Sequence, residues 1–162
     1  MKREVQVYYG SGKGKTTAAV GHCIKEASLG RQVIIIQFLK GRNADELGFL
    51  VKLEPDIKLF RFEKEEAFYL DLPEDKKLEE KKNILNGLNF AKKVIETGEC
   101  DLLVLDEVLR LIDLEIITED ELISLIELRD DPYKLLLTGR SLSPRLLEHV
   151  DVAAEIRQVK GE

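Results

Sequence analysis

The amino-acid sequence predicts an α/β domain in which helices flank a mainly parallel sheet. Strand-like and helix-like segments alternate along the chain of 162 residues, and the segments 33–39 and 101–107 read as nearly continuous apolar runs. Such runs are typical of parallel strands whose two faces are both covered by helices. A chain of this length suits one sizeable core, so we expect one domain over residues 1–162.

The first half of the chain contains three predicted strands and one predicted helix. Residues 5–9 are rich in β-branched and aromatic side chains, which predicts a strand. A helix is expected over residues 15–29, because Gly30 follows it as a stop signal. Residues 33–39 predict a buried strand, and residues 57–62 alternate between apolar and polar side chains, which predicts a strand with one wetter face.

The second half of the chain continues the alternation. Pro73 suits the first turn of a long helix that runs to about Thr97, and Gly98 lies just past its end. Thr118 and Glu121 have the spacing of a capping box, which predicts a helix reaching residue 128. Mobile loops are expected at 41–71, the least regular and most charged segment. The other predicted elements are strands at 101–107, 133–140 and 152–159 and a short helix that begins at Ser143 and Pro144.

Composition argues against several classes of protein. The formal net charge of −6 argues against a general nucleic-acid binder, which is usually basic. Cys23 and Cys100 are far apart and form no CxxC pair, which indicates reduced, buried thiols. Charged residues interrupt the start of the chain, and no apolar run reaches the roughly 18 residues of a membrane span. We therefore expect a cytoplasmic protein without a membrane anchor.

The stretch YYGSGKGKTTAAVG, residues 8–21, has the composition of a phosphate-binding loop. Glycines let backbone N–H groups point at a phosphate, and the helix that follows adds positive potential at its N-terminus. Lys15 is expected to reach the terminal phosphates of a nucleotide, and the Thr16 hydroxyl is expected to bind Mg²⁺. Because strand, loop and helix occur in P-loop order, we predict a P-loop NTPase-like three-layer domain. The predicted nucleotide-binding residues of the loop are Gly10, Ser11, Gly12, Lys13, Gly14, Lys15, Thr16 and Thr17.

Two acids, Asp106 and Glu107, end the apolar strand predicted at 101–107. P-loop proteins hold Mg²⁺ at this place with an acid, either directly or through water. We interpret the pair as metal-binding in preference to a solvated helix cap. The sequence leaves open which of the two is the ligand, and in an ordinary ATPase Glu107 could instead polarise the attacking water.

Two cations follow strands at the edge where open α/β sheets bind ligands. Arg140 follows the strand that includes LTGR, and Lys40 follows the strand that includes QFL. Either cation could hold a phosphate or a developing negative charge, and a surface salt bridge is an equal alternative for both. Lys40 and Arg140 are therefore a candidate nucleotide-binding residue and a candidate catalytic residue. His22 and His149 are isolated, which indicates structural or surface roles and not metal binding.

Five motifs occur in order over nearly the whole chain, and together they resemble the P-loop type of the ATP:corrinoid adenosyltransferase family. Tyr9 occupies the position of the first glycine in the common P-loop, so three residues instead of four separate Gly10 from Gly14. The family's loop shares this shortened form. The motifs are GSGKGKTTAA at 10–19, QFLKG at 37–41, LLVLDE at 102–107, LTGR at 137–140 and EIRQVK at 155–160.

The resemblance implies a transferase reaction in which a reduced corrinoid attacks the 5′ carbon of ATP and releases triphosphate. The corrinoid would be cob(I)alamin or cob(I)yrinic acid a,c-diamide. The resemblance implies that Lys15, Thr16 and the loop amides hold the triphosphate, and that Mg²⁺ binds to Thr16 and Glu107. The candidate catalytic residues are Lys15, Glu107 and Arg140, and Asp106 is a further candidate metal residue. The family binds ATP in the reverse sense to most P-loop proteins, so that the 5′ carbon faces the corrinoid. A homodimer is expected, with an electron-donor flavoprotein as a candidate partner.

The sequence departs from the family on the corrinoid side of the site. The family commonly contains tryptophan in the loop after KG and in an aromatic loop near the corrinoid, and this chain contains none. Phe68 and Tyr69 lie near the second of these places and are the candidate corrinoid residues. They either pack against the corrin and keep water off cobalt, or they belong to the core. The family's C-terminal extension does not follow Glu162.

Two other functions stay open at the level of the sequence. A P-loop ATPase or kinase would use Glu107 as a base and would release or transfer the γ-phosphate instead of triphosphate. A non-catalytic nucleotide-binding paralogue would explain the missing tryptophans, although Lys15, Thr16, Glu107 and Arg140 are intact. The transferase is the preferred function.

Overall fold

Six parallel strands form one sheet in the computed structural model, which describes residues 2–40, 47–65, 67–128 and 131–161. Their order across the sheet is β3-β2-β4-β5-β1-β6, and every pair of neighbours is parallel, so the predicted mainly parallel sheet is confirmed. The strands are β1 (Glu4–Tyr9), β2 (Val33–Gln37), β3 (Ile57–Phe60), β4 (Leu102–Asp106), β5 (Lys134–Gly139) and β6 (Val152–Glu155).

Helices connect the strands and cover the sheet. Two short 3₁₀ helices, Gly48–Leu53 and Tyr69–Asp71, precede β3 and α2. In the described part of the chain, no helix has the length and apolar character needed to cross a bilayer. The α-helices are α1 (Lys15–Ser28), α2 (Glu74–Thr97), α3 (Val108–Asp113), α4 (Glu119–Ile126) and α5 (Pro144–Leu147).

Capping signals place two helix ends close to their predicted positions. Thr118 Oγ1 accepts a hydrogen bond from the Glu121 N–H, and the Glu121 carboxylate accepts one from the Thr118 N–H, which confirms the capping box. Gly98 ends α2 in the left-handed conformation with φ 66°. Pro73 is the N-cap residue of α2 and lies one position before its first turn.

Apolar side chains on both faces of the sheet pack against helices, which gives the predicted three layers. Ile36 and Leu105 face one side and belong to a core cluster with residues of α2, α3 and α4. Ile35 and Val104 face the other side and pack with Cys23 of α1. This alternation along neighbouring strands follows from the two-residue period of β structure.

The order of the strands brings the predicted site residues to one edge. β5 lies between β1, which leads into the glycine-rich loop, and β4, which ends in the acids. Tyr9 lies opposite Gly139 in the β1–β5 register, and Gln37 lies opposite Asp106 in the β2–β4 register. The carboxyl ends of four adjacent strands therefore form one edge, where ligands bind in open α/β sheets.

Several elements differ from the predictions. The sequence does not predict α3, which begins directly after Glu107. The predicted last strand at 152–159 is too long: β6 ends at Glu155 because its partner β1 ends opposite it, at Tyr9. β2 ends at Gln37 and not at residue 39, since Leu39 adopts a left-handed φ of 61°. Smaller differences are the ends of β3 at Phe60, of α4 at Ile126 and of β5 at Lys134 and Gly139.

The segment predicted to contain mobile loops, residues 41–71, is described in part. Residues 41–46 and residue 66 lie outside the described residues, and so does Gly41 of the QFLKG motif. The described remainder contains both 3₁₀ helices and β3. Its mobility stays a prediction.

Candidate active site

The glycine-rich loop joins β1 to α1 and surrounds the side chain of Lys15. Gly10 and Gly14 adopt φ of 138° and 107°, conformations that strain residues with a Cβ atom. Lys15 is only 9% exposed, and its Nζ donates to the carbonyl oxygens of Gly10 at 2.7 Å and Gly12 at 3.1 Å. The loop thus holds the ammonium group at its centre, with two of the three N–H donors occupied by its own carbonyls.

The C-terminal segment covers one side of this loop. A Cβ atom on Gly10 would lie 2.2 Å from the carbonyl oxygen of Ile156, and one on Gly12 would lie 2.7 Å from the backbone nitrogen of Gln158. The Ile156 N–H also donates to the carbonyl oxygen of Tyr9 at 2.7 Å. The close packing of the C-terminal backbone therefore requires glycine at both positions, whether or not a phosphate also approaches the loop. The last motif of the sequence supports the loop through its main chain.

Asp106 is a buried carboxylate that three side chains hold in place. It is 1% exposed. The Thr16 hydroxyl donates to it from 3.0 Å, Thr138 Oγ1 donates to Oδ1 at 2.7 Å, and Gln37 Nε2 donates to Oδ2 at 2.9 Å. These hydrogen bonds compensate for the desolvation of the carboxylate. Because the Thr16 hydroxyl group donates its hydrogen bond to Asp106, the lone pairs of its oxygen stay available for a metal ion.

The hydrogen-bond network continues from Asp106 to the end of β3. Gln37 is fully buried, and its Oε1 accepts a hydrogen bond from Arg61 Nε at 2.7 Å. Both ends of the Gln37 amide are therefore paired, which fixes its NH₂ group toward Asp106. The network links side chains at the ends of β2 and β4 with α1 and β5.

Glu107 follows Asp106 in the chain and lines the cleft above it. It is the N-cap residue of α3, its φ is 67°, and its N–H donates to Thr138 Oγ1 at 2.7 Å. Burial raises the pKa of the Glu107 carboxyl, and the charge of Asp106 raises it further. Three nearby cations act in the opposite direction: Lys15, Arg110 and Lys40.

A cleft of about 650 Å³ brings most of the predicted site residues together. This volume lies in the range of small-molecule sites. Gly10 and Asp106 do not line the cleft. They contact residues that do: the Gly10 carbonyl accepts a hydrogen bond from Lys15, and Asp106 lies behind Thr16. The predicted residues that line the cleft are Ser11, Gly12, Lys13, Gly14, Lys15, Thr16, Thr17, Lys40, Phe68, Tyr69, Glu107 and Arg140.

Cations outnumber acids in this cleft. Sequence reasoning missed Arg110, which follows Glu107 by three residues in α3 and could have been found only once that helix was recognised. Arg140 is exposed and lines the cleft, and its role stays a prediction. The cleft contains the cations Lys13, Lys15, Lys40, Arg110 and Arg140 and the acids Asp71 and Glu107.

An apolar lip, residues 68–70, borders the cleft. Phe68 is 61% exposed and Leu70 is 55% exposed, and both line the cleft. Tyr69 packs partly against the main core, and Lys77 Nζ lies 5.9 Å from the centre of its ring. The core alternative is therefore wrong for Phe68, which is a surface residue, and holds in part for Tyr69.

The oxygen donors at the cleft fit Mg²⁺ better than a metal ion that takes all of its ligands from the protein. Among the described residues, no group of three or more His, Cys, Asp and Glu side chains could hold a metal ion. Mg²⁺ usually takes one or two protein ligands and completes its shell with water and phosphate oxygens. The Thr16 hydroxyl and the Glu107 carboxylate could supply this number. His22 and His149 each pair with a glutamate outside the cleft, in agreement with their predicted structural roles.

Comparison with known proteins identifies the family of the chain. The family described as ATP:corrinoid adenosyltransferase BtuR/CobO/CobP matches residues 1–162. The chain belongs to this family. It is 27% identical over 154 residues to a corrinoid adenosyltransferase of Escherichia coli, which covers 95% of this chain and 76% of that protein. It is 29% identical over 167 residues to protein all2391 of Nostoc sp., and it spans only 43% of that relative's length.

A solved structure shows the fold. The KaiC-like protein PH0186 of Pyrococcus horikoshii superposes with a TM-score of 0.56 at 18% identity, over 98% of this chain and 74% of that one. The predicted P-loop NTPase-like fold is confirmed, and so is the predicted membership of the adenosyltransferase family. Membership of a transferase family favours adenosyl transfer over the ATPase and kinase alternatives.

Proposed function

We propose that this chain transfers the 5′-deoxyadenosyl group of ATP to the Co(I) atom of a reduced corrinoid and releases triphosphate. The supporting observation is that one cleft joins a cation-rich phosphate floor, which consists of the loop 11–17, Lys40, Glu107, Arg110 and Arg140, to an apolar lip. A nucleotide alone would use the floor, whereas a second substrate with a broad apolar face would use the lip. Cob(I)alamin and cob(I)yrinic acid a,c-diamide are the two corrinoids proposed.

The floor suits a triphosphate that leaves as a whole. Lys15 lies inside the loop, and Lys40 and Arg140 line the cleft from the ends of two other strands. Together with the loop amides and the N-terminus of α1, these cations would surround the phosphate chain. Donors fixed before the reaction stabilise the negative charge that develops on the leaving group without reorganising.

The chemical step needs little acid–base assistance. The electron pair of Co(I) forms the Co–C bond, and the electron pair of the C5′–O bond leaves with triphosphate, so the step transfers no proton. The chain's own contribution is to hold the 5′ carbon in line with its leaving group and to neutralise charge.

We assign metal contact to the Thr16 hydroxyl and the Glu107 carboxylate, with Asp106 acting through Thr16. When bound, Mg²⁺ supplies positive charge next to the phosphate oxygens. The assignment is supported by the burial of Asp106, whose oxygens already accept from Thr16, Thr138 and Gln37. Glu107, by contrast, faces the cleft.

The apolar lip suits the flat face of a corrin. Phe68 and Leu70 are more than half exposed at the cleft. Covering them with the macrocycle would bury apolar surface and displace water from the side on which cobalt attacks. We therefore propose that this lip takes the place of the tryptophan-containing loop of other family members.

We extend the proposal to a cytoplasmic homodimer that works with an electron-donor flavoprotein, as the resemblance to the family implies. Sedimentation equilibrium tests the dimer: a mass twice that of the 18.5 kDa chain supports it, and the mass of a monomer contradicts it. Co-sedimentation with a reduced flavoprotein donor tests the partner.

The deciding experiment is an anaerobic incubation with ATP, Mg²⁺ and chemically reduced cob(I)alamin, with the a,c-diamide in parallel. The absorption spectrum follows the corrinoid, and chromatography separates triphosphate from orthophosphate. A Lys15→Ala variant serves as the control for chemistry outside the loop.

We expect the adenosylated corrinoid and triphosphate to form in equal amounts. Release of orthophosphate with unchanged corrinoid would make the protein an ATPase and would contradict the proposal. Bound ATP without any turnover would identify a non-catalytic nucleotide-binding protein.

A further inference from the structure

The buried part of the LTGR motif, Thr138 and Gly139, has no role in the proposed function, although Thr138 is hydrogen-bonded to both acids of the site. Arg140 lines the cleft, whereas Thr138 is fully buried and, like Gly139, does not line it. Thr138 and Gly139 end β5, between the strand of the phosphate loop and the strand of the acids. Because buried polar side chains are nearly always paired, the partners of Thr138 show what it does.

The backbone of Glu107 needs support from outside its own helix. Its φ of 67° and ψ of 14° lie in the left-handed region, which is unfavourable for a residue with a Cβ atom. As the N-cap residue, Glu107 has an N–H group with no partner inside α3. Any group that accepts from this N–H therefore helps to hold the turn that presents the Glu107 carboxylate.

The Thr138 hydroxyl group is that acceptor, and it is hydrogen-bonded to both Asp106 and Glu107. Its Oγ1 accepts from the Glu107 N–H at 2.7 Å and donates to Asp106 Oδ1 at 2.7 Å. One hydroxyl group therefore sets the relative position of two consecutive acids. We propose that Thr138 is a positioning residue for the metal–nucleotide site: it orients Asp106, which holds Thr16, and it holds the turn of Glu107.

Gly139 supports the same arrangement by close packing. A Cβ atom on Gly139 would lie 2.2 Å from the Cβ atom of Leu109, so only glycine lets α3 lie this close to β5. α3 begins directly after Glu107 and contains Arg110, which lines the cleft. The end of β5 thus fixes the start of α3 through one hydrogen bond and one close contact.

The inference rests on the proposed function only through its nucleotide, and its test measures ATP binding without a corrinoid. Isothermal titration calorimetry gives the ATP affinity in Mg²⁺ and in EDTA for the wild type, Thr138→Val and Thr138→Ser. Valine keeps the shape of threonine and removes both hydrogen bonds, whereas serine keeps the hydroxyl group. The ratio of the two affinities isolates the contribution of the metal.

We expect Thr138→Val to reduce the Mg²⁺-dependent gain in ATP affinity by about 10- to 100-fold, as loss of partners behind metal ligands does. Its affinity in EDTA should stay within about twofold of the wild type, and Thr138→Ser should stay within about threefold in both buffers, because the direct phosphate contacts are unchanged. If Thr138→Val does not fold, Thr138→Cys takes its place, since a thiol of similar size is a weak donor and acceptor.

Three results would overturn the inference. Equal losses with and without Mg²⁺ would mean that Thr138 only supports the fold. A serine variant as impaired as the valine variant would mean that the hydroxyl group does not matter. A wild type with the same ATP affinity in Mg²⁺ and in EDTA would mean that no metal ion contributes to ATP binding. Absence of transfer to cob(I)alamin would leave the binding result standing, so the two proposals fail separately.

Discussion

The floor and the lip of the cleft differ in how their side chains are held. Lys15 on the floor and Asp106 directly behind it are at most 9% exposed, and their polar atoms pair within the structure. On the lip, Phe68 and Leu70 are more than half exposed. The floor lies at the ends of parallel strands, whereas the lip overlaps a 3₁₀ helix of three residues. The central side chains of the phosphate side are therefore fixed by hydrogen bonds, whereas the lip offers open apolar surface.

This difference shows what each half of a two-substrate site requires. Charge that develops on a leaving group needs donors fixed to within a few tenths of an ångström, which strand ends and a helix N-terminus supply. Contact with a broad apolar ligand depends mainly on the area covered, so it tolerates a less regular segment. We therefore expect substitutions on the floor to remove ATP chemistry and substitutions on the lip to change only corrinoid affinity.

The largest effect is expected for Lys15→Ala on the floor. Loss of the ammonium group at the centre of the loop should weaken ATP binding by about 100-fold or more and abolish transfer, because we propose that this donor binds the phosphates directly. Calorimetry and the transfer assay measure the two effects. Lys25→Ala, an exposed residue of the same helix, is the matched control and should change neither. Unchanged turnover of the Lys15 variant would remove the phosphate loop from the mechanism.

A second floor substitution, Glu107→Gln, removes charge and keeps shape. We expect the transfer rate to fall by about 100-fold, since the carboxylate proposed to hold Mg²⁺ at the leaving phosphates is lost, while ATP affinity in EDTA stays within about twofold. Glu115→Gln is the control, because Glu115 also adopts a left-handed φ, of 58°, but lies outside the cleft. Full activity of the Glu107 variant would contradict its metal role.

On the lip, Phe68→Ala should act on one substrate only. We expect the KM for the corrinoid to rise by about tenfold, which corresponds to about 1.4 kcal/mol of lost apolar contact, with unchanged ATP affinity. Phe49→Ala is the control, since Phe49 is also an exposed phenylalanine, at 52%, but does not line the cleft. Equal losses of ATP and corrinoid affinity would mean that Phe68 supports the fold and does not bind the corrinoid, and would contradict the distinction between floor and lip.

The smallest effect on activity is expected for Glu63→Gln, because Glu63 does not line the cleft itself and is hydrogen-bonded to Leu39, which does. Glu63 Oε1 accepts from the N–H of Leu39, and its other oxygen is buried without a partner in the described structure. Burial, together with the charge of Glu80, raises the pKa of Glu63 from the usual 4.5 to about 7. Glutamine can keep the bond to Leu39, so we expect transfer to change by less than about twofold.

The difference in stability between the wild type and Glu63→Gln should instead depend on pH. Because the folded protein binds this proton more tightly than the unfolded chain, the contribution of Glu63 to the stability of the wild type is most favourable below pH 4.5 and is lost as pH rises through about 7. The penalty above pH 7 is up to about 3.5 kcal/mol at 1.4 kcal/mol for each pKa unit. Urea unfolding should therefore show the variant to be the more stable at pH 8 and about equal at pH 4.5. A stability difference that does not change with pH would contradict this reasoning.

The sequence by itself determined the α/β class, the phosphate loop and the family. The loop could be predicted because its residues are consecutive and its chemistry is local: glycines for the turn, then Lys15 and Thr16 at the start of a helix. Asp106, Glu107 and Arg140 could be placed because the carboxyl ends of parallel strands share one edge. Phe68 became a candidate corrinoid residue only through the resemblance to the family.

Only the tertiary structure decided how these pieces are joined. The sequence does not show that β5 lies between β1 and β4, so it could not pair Thr138 with Asp106 and Glu107. It also gave no reason for Gly10 to lie against Ile156. Periodicity tells which face of a strand is buried, but it contains no information on which strands are neighbours, and these contacts join residues that are more than 30 positions apart. The chemistry of the site is therefore local in sequence, whereas its positioning depends on strand order.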